Sequence, residues 1–270
     1  MAAVKNMSGL FAGATAFNQP LVSWDVAAVT TTSWMFYDAF AFNQPLDALD
    51  VSAVVNMQRL FNSAVAFNHV SAVQDMSRMF AVATFFNQPI GDWDVSSVHG
   101  MEGMFSSANF FNQPIDNWDL WSVSSMEGMF SSANSFNQPI GKWDVSKVVG
   151  MESMFRRAHT LNQPLDICNV FSVMSMGSMF EATASFNQPL DNWDVATVGD
   201  VSFMFAGAAF NQDLCSWGPL LGSTTDVGSM FGMNSFDGTG PSACPAFNID
   251  PELSASPPGP FCFVLFSDSA

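Results

Sequence analysis

Apolar side chains recur along this chain in one fixed arrangement. In residues 136–158, Ile140, Trp143 and Val145 are spaced three and then two apart. Val148, Met151, Met154, Phe155 and Ala158 then recur at three and four. The first set has the spacing of a short strand whose alternate side chains point inward. The second has the period of a short helix or 3-10 segment. Pro139 stands just before the first set, where its missing N–H costs no ladder bond.

The arrangement is a repeat. Phe-Asn-Gln-Pro or a close variant begins at Phe17, Phe42, Phe86, Phe111, Phe136, Leu161 and Phe186, with degenerate copies at Phe67, Phe210 and Phe236. The steps between these starts are 25, 25, 19, 25, 25, 25, 25, 24 and 26 residues. The fold expected is therefore an α/β repeat. It is a leucine-rich-repeat-like solenoid in which each coil of about 25 residues has one short strand and one short helix or 3-10 segment. Neighbouring coils would close each other's apolar face, with strands about 4.8 Å apart.

The expected organisation is a repeat region over residues 1–236 and an irregular C-terminal cap over 237–270. The first coil is incomplete: Val4, Met7, Leu10, Phe11 and Ala14 match only the second half of a repeat. Either this half-coil caps the stack or residues precede it. The 19-residue step predicts a shortened coil near 67–85, with a kink or a break in the ladder. Residues 237–260 hold six of the fourteen prolines. Cys215, Cys244 and Cys262 fall near this end, and a Cys244–Cys262 or Cys215–Cys244 disulfide would staple the cap; three free thiols are the alternative.

Charge narrows the range of partners. The chain has 24 acids against 7 bases, a net charge of −17. Such a field repels nucleic acid and anionic lipid and favours cations or basic partners. No apolar run is long enough for a transmembrane helix, and no signal peptide is visible. No catalytic constellation emerges either. His69, His99 and His159 lie in different coils, and the Asp pairs are repeat positions, whereas a catalytic pair should be unique. The chain reads as a non-enzyme.

The motifs Phe-Asn-Gln-Pro-Leu, Trp-Asp-Val-Ser and Met-x-x-Met-Phe resemble the 25-residue repeat of BspA-like leucine-rich surface proteins, including mycoplasma surface lipoproteins. The resemblance covers about residues 4–236. It implies display outside cells, for adhesion or recognition, and carries over no catalytic residue. Cysteines at the cap point to the same extracellular or cell-surface location.

Three sets of residues are candidates for function. Asp94, Asp119, Asp144 and Asp194 recur between the inward Trp and Val. Stacked carboxylates repel by about 1 kcal/mol per pair at about 4–5 Å in water, and Ca²⁺ is the candidate ion to offset that. The competing reading has each Asp capping its own Asp-Val-Ser turn. It is preferred, because Ser stands at +2 in several coils. Asn87, Asn112, Asn137, Asn162 and Asn187 form the most uniform polar column and are expected to be an inward structural ladder. Trp121, Phe171, Phe85 and Phe110 depart from the repeat's small residues. They are either contact residues for a protein or glycan or fillers of gaps beside small neighbours. The function expected is a binding or adhesion module presenting one solenoid face to a protein or glycan. The alternative is a structural subunit that stacks into a larger assembly or oligomer.

Overall fold

A computed structural model describes residues 3–42, 44, 49–61, 73–166 and 168–232. Successive coils stack in parallel register. A continuous series of parallel bridges runs Asn6, Thr31, Asn56, Asp75, Gly100, Ser125, Gly150, Ser175, Asp200 and Asp226. The expected α/β coil, one strand plus one helix, is not what builds this stack. The described residues contain no α-helix and no extended strand, and their one helical element is the 3-10 turn Cys215–Trp217.

The segment read as helical carries the ladder. Met101, Gly103, Phe105 and Ser107 donate their N–H groups to the carbonyls of Ser125, Glu127, Met129 and Ser131 in the next coil, at 2.7–3.2 Å. The intervening Met104, Ser106 and Ala108 donate backward within their own coil, to Met101, Gly103 and Phe105 at 2.9–3.1 Å. The chain is thus a run of tight turns in which alternate amides from Met101 to Ala108 reach outward to the neighbour or back within the coil. Gly103 and Ser107 have φ of 58° and 59°, and the same left-handed pair recurs at Gly128 and Ser132, Ser153 and Arg157, and Ser178 and Ala182. A helix needs φ near −63° at every residue, so these positions exclude one. The three-and-four spacing of Met and Phe arises because each turn closes over three residues.

The segment read as a strand makes no ladder. Trp143 N–H closes a turn onto Ile140 O at 3.2 Å, and Val148 N–H closes another onto Val145 O at 2.9 Å. The three-then-two spacing records two turns, not a pleat. Apolar period alone does not separate these cases, because successive turns also deliver side chains to one side.

The ladder does not break at the short repeat. Met57, Arg59 and Phe61 donate to Asp75, Ser77 and Met79 at 3.0–3.2 Å. Residues 67–72 of the predicted shortened coil lie outside the described residues, and from Val73 onward the coil keeps its place in the ladder. The predicted cap, 237–270, lies outside the described residues.

Aromatic columns fill the interior. Phe80, Phe105, Phe130, Phe155, Phe180 and Phe205 stack coil on coil with ring centroids 5.5–5.7 Å apart. Within a coil, Phe105 lies 4.0 Å from Phe111 at an interplanar angle of 3°. All are fully buried, so truncating one is expected to cost about 3–5 kcal/mol. A Trp column runs beside them. Trp118, Trp143, Trp193 and Trp217 each donate Nε1–H to a carbonyl of the preceding coil at 2.8–3.0 Å. Cys168 takes the Trp place in one coil, and burial, helped by Asp166, pushes its thiol up to about 11.

Candidate functional site

Because backbone amides join the coils along the turn ladder, the stack does not need the same outward side chain in each coil. Those positions vary from coil to coil. The first left-handed position is Trp34, Arg59, Arg78, Gly103, Gly128, Ser153, Ser178, Phe203 and Ser229 in succession. The residue before it changes as freely, through Ser33, Gln58, Ser77, Glu102, Glu127, Glu152, Gly177 and Ser202. Most of these side chains are exposed or half-buried.

A hollow opens where two consecutive coils carry glycine at the left-handed position. It has a volume of about 490 Å³, and its lining includes Tyr37, Arg59, Arg78, Val82, Glu102, Gly103, Glu127 and Gly128. Arg78 lies along the floor: a Cβ on Gly103 would meet its Cγ at 3.2 Å. Arg59 sits 4.4 Å above the ring of Trp34, which in turn packs 5.1 Å from Tyr37. Among the described residues, neither Arg59 nor Arg78 has a carboxylate within ion-pair distance. Further along the face, Arg156 grips Glu181 through two bonds of 2.8 and 2.9 Å. That contact raises the guanidinium and lowers the carboxyl from their ordinary values.

Three glutamates stack in consecutive coils beside the hollow. Glu102 accepts from Ser77 Oγ, and Glu152 accepts from Ser175 Oγ at 2.6 Å. Glu127, between them, accepts no such bond among the described residues. Its carboxyl is held above the usual carboxylate range by burial and then by the charges of Glu152 and Glu102.

The residues predicted from sequence fall elsewhere. Asp94, Asp119, Asp144 and Asp194 each accept the backbone N–H two residues on, at 3.1 Å. Hydrogen bonds from Ser96 and Ser146 keep the Asp94 and Asp144 carboxyls below their usual range. Among the described residues no three His, Cys, Asp or Glu side chains gather where one ion would reach them. The ladder asparagines link coils from exposed or half-buried positions. Asn112 Oδ1 accepts Asn137 N–H at 2.9 Å and Gln138 Nε2 at 3.0 Å. Asn87, Asn137, Asn162 and Asn187 repeat the same bond to the next coil at 2.7–3.0 Å.

Phe85 and Phe110 are exposed and stacked, their rings 5.5 Å apart at 14°. Trp121 is half exposed, with Lys147 Nζ 3.7 Å from its ring centre. Phe171 is equally exposed but lies two coils from Trp121, with Ser146 at the equivalent position between them. Cys215 is disulfide-bonded; Cys244 and Cys262 lie outside the described residues. Sequence reading marks Trp34 and Phe203 of the turn face as aromatic irregularities but misses the rest, because a helical assignment scatters its variable positions around a cylinder. The signal was present at the x positions of Met-x-x-Met-Phe.

The architecture defines a protein of stacked repeats with a near-constant interior and a variable turn face. The chain belongs to the family described as "Mycoplasma protein of unknown function, DUF285", whose model matches residues 1–72, 69–168 and 139–239. No curated protein and no solved structure matches it. Among the described residues no helix is long and apolar enough to cross a membrane.

Proposed function

We propose that this chain is a non-enzymatic binding module that presents its turn face to a protein or glycan partner outside the cell. The observation that carries this reading is the division of labour between backbone and side chain. Along the ladder the backbone bonds are the same in every coil while Trp, Arg, Glu, Gly, Ser and Phe exchange freely on its surface. Recognition needs local variety on a rigid support, and this face combines the two. The disulfide at Cys215 supports an oxidising compartment. The resemblance to BspA-like surface repeats favours the same location.

The test is to probe the purified chain on peptide and glycan arrays beside two variants. One carries Trp34→Ser, Arg59→Ser, Arg78→Ser, Glu102→Ser and Glu127→Ser on the turn face. The other carries Trp121→Ser and Phe171→Ser. Loss of array binding in the first variant alone is expected. No binding by the parent chain, or loss only in the second variant, would contradict the reading.

A further inference from the structure

We propose that the hollow beside Gly103 and Gly128 takes a short dipolar peptide segment, its acidic side chain on Arg59 and Arg78 and its basic side chain on Glu102 and Glu127. The inference rests on the turn face being a binding surface and adds which part of it binds and by what chemistry.

Three observations carry it. First, the hollow is a local departure from the repeat. The left-handed position holds Ser153, Ser178 and Phe203 in later coils at φ of 55–56°, so the backbone accepts a side chain there. The glycine at 128 leaves open space that a side chain from outside can occupy, while Arg78 lies over the glycine at 103. Second, the hollow's own charges are not neutralised. In a chain with 24 acids and only 7 bases, Arg59 and Arg78 still meet no carboxylate among the described residues. On the other side, Glu127 stands between two like charges and is pushed towards its neutral form by burial first and then by the charges of Glu152 and Glu102. An ammonium or guanidinium placed there would relieve that repulsion, and a carboxylate at the arginines would be gripped by charge-assisted bonds.

Third, the dimensions suit a peptide. From Arg59 to Glu127 there are three steps of the stack. At roughly 4.8 Å each they span about 14 Å, the length of about four extended residues. The volume of about 490 Å³ falls within the range of small-ligand sites. A neutral sugar would leave the guanidiniums without a counter-charge, and a purely acidic or basic segment would meet like charge at one end.

The experiment is fluorescence polarisation of the full chain with end-blocked pentapeptides containing Asp-Gly-Lys or Lys-Gly-Asp. Singly charged controls carry Asn in place of Asp, or Gln in place of Lys; an oligosaccharide of glucuronic acid is a separate arm. One order of the dipolar peptide is expected to bind at least about ten-fold tighter than either of its singly charged controls. Arg78→Gln should erase the preference for Asp over Asn. Glu127→Gln should erase the preference for Lys over Gln. Gly128→Phe, which copies Phe203, should block binding with the thermal melt preserved; if it fails to fold, the two charge variants carry the test. Equal affinity for dipolar and singly charged peptides, or no peptide binding at all, overturns the proposal. Binding of the acidic oligosaccharide alone, lost in Arg78→Gln, also overturns it and leaves the turn face standing as a binding surface.

Discussion

The turn ladder and the Asn-Gln-Trp edge hold the same coils together by opposite means. On the ladder, Gly103 N–H reaches Glu127 O and Ser107 N–H reaches Ser131 O at 2.7 Å, with no side chain involved. On the edge, side chains span the gap: Asn137 Oδ1 receives the N–H of Asn162, and Trp143 Nε1 reaches Ile115 O. Where Asn, Gln and Trp side chains bond coil to coil, the sequence repeats itself; the Ser77–Glu102, Ser175–Glu152 and Arg156–Glu181 contacts on the ladder face are single additions to the backbone bonds. Where the backbone does so, the sequence is free to vary. Uniformity in this chain therefore marks structural duty, and variety marks the surface left for recognition.

The comparison breaks most severely in the core that both regions share. Phe105→Ala removes a buried ring stacked on Phe80, Phe111 and Phe130. It is expected to cost about 3–5 kcal/mol, read from a chemical denaturation curve. On the edge, Trp143→Phe keeps an aromatic ring but strands the Ile115 carbonyl, a loss of about 1–3 kcal/mol by the same measurement. Asn137→Ala deletes the acceptor for Asn162 N–H and Gln163 Nε2. These groups are partly solvated, so about 1–2 kcal/mol is expected.

The ladder face should respond differently. Glu127→Gln removes a carboxylate pressed by two others and should leave stability within about 0.5 kcal/mol of the parent, on the favourable side. The sign with pH follows from its raised carboxyl: the contribution of Glu127 to stability is fullest at pH below the ordinary glutamate range and is lost as pH rises through the folded value. Glu127→Gln should flatten that part of a melting-temperature profile against pH. A second small gain is expected at the rim of the hollow. Val82 is β-branched at φ 61° and exposed, so Val82→Gly should relieve strain and stabilise by under about 1 kcal/mol. An edge variant as harmless as Glu127→Gln, or a face variant as costly as Asn137→Ala, would erase the distinction.

The repeat, its register and nearly every buried position were legible in the sequence, because Phe, Met and Trp mark the interior in each copy. The local conformation was not. Ile140, Trp143 and Val145 have strand-like spacing, yet Trp143 closes a turn on Ile140. Met151, Met154 and Phe155 have helical spacing, yet Ser153 and Arg157 between and after them are left-handed. Side-chain period reports which residues face inward, whereas the sign of φ at Ser, Arg or Ala leaves no compositional trace as it does at Gly. The structural role of the asparagine ladder was legible, but its inward placement was not: an acceptor column serves equally well near the surface when its donors belong to the next coil. The Asp turns were legible because Ser at +2 is their local partner.

Residue-resolved amide hydrogen exchange tests the central claim most directly. If turns carry the stack, Met126, Gly128, Phe130 and Ser132, which donate to Gly150, Glu152, Met154 and Arg156, should be among the slowest amides. Ile140, Lys142 and Asp144 should exchange fast beside a protected Trp143. Slow exchange at Ile140, Lys142 and Asp144, with Gly128 and Ser132 unprotected, would restore the strand ladder and contradict the account.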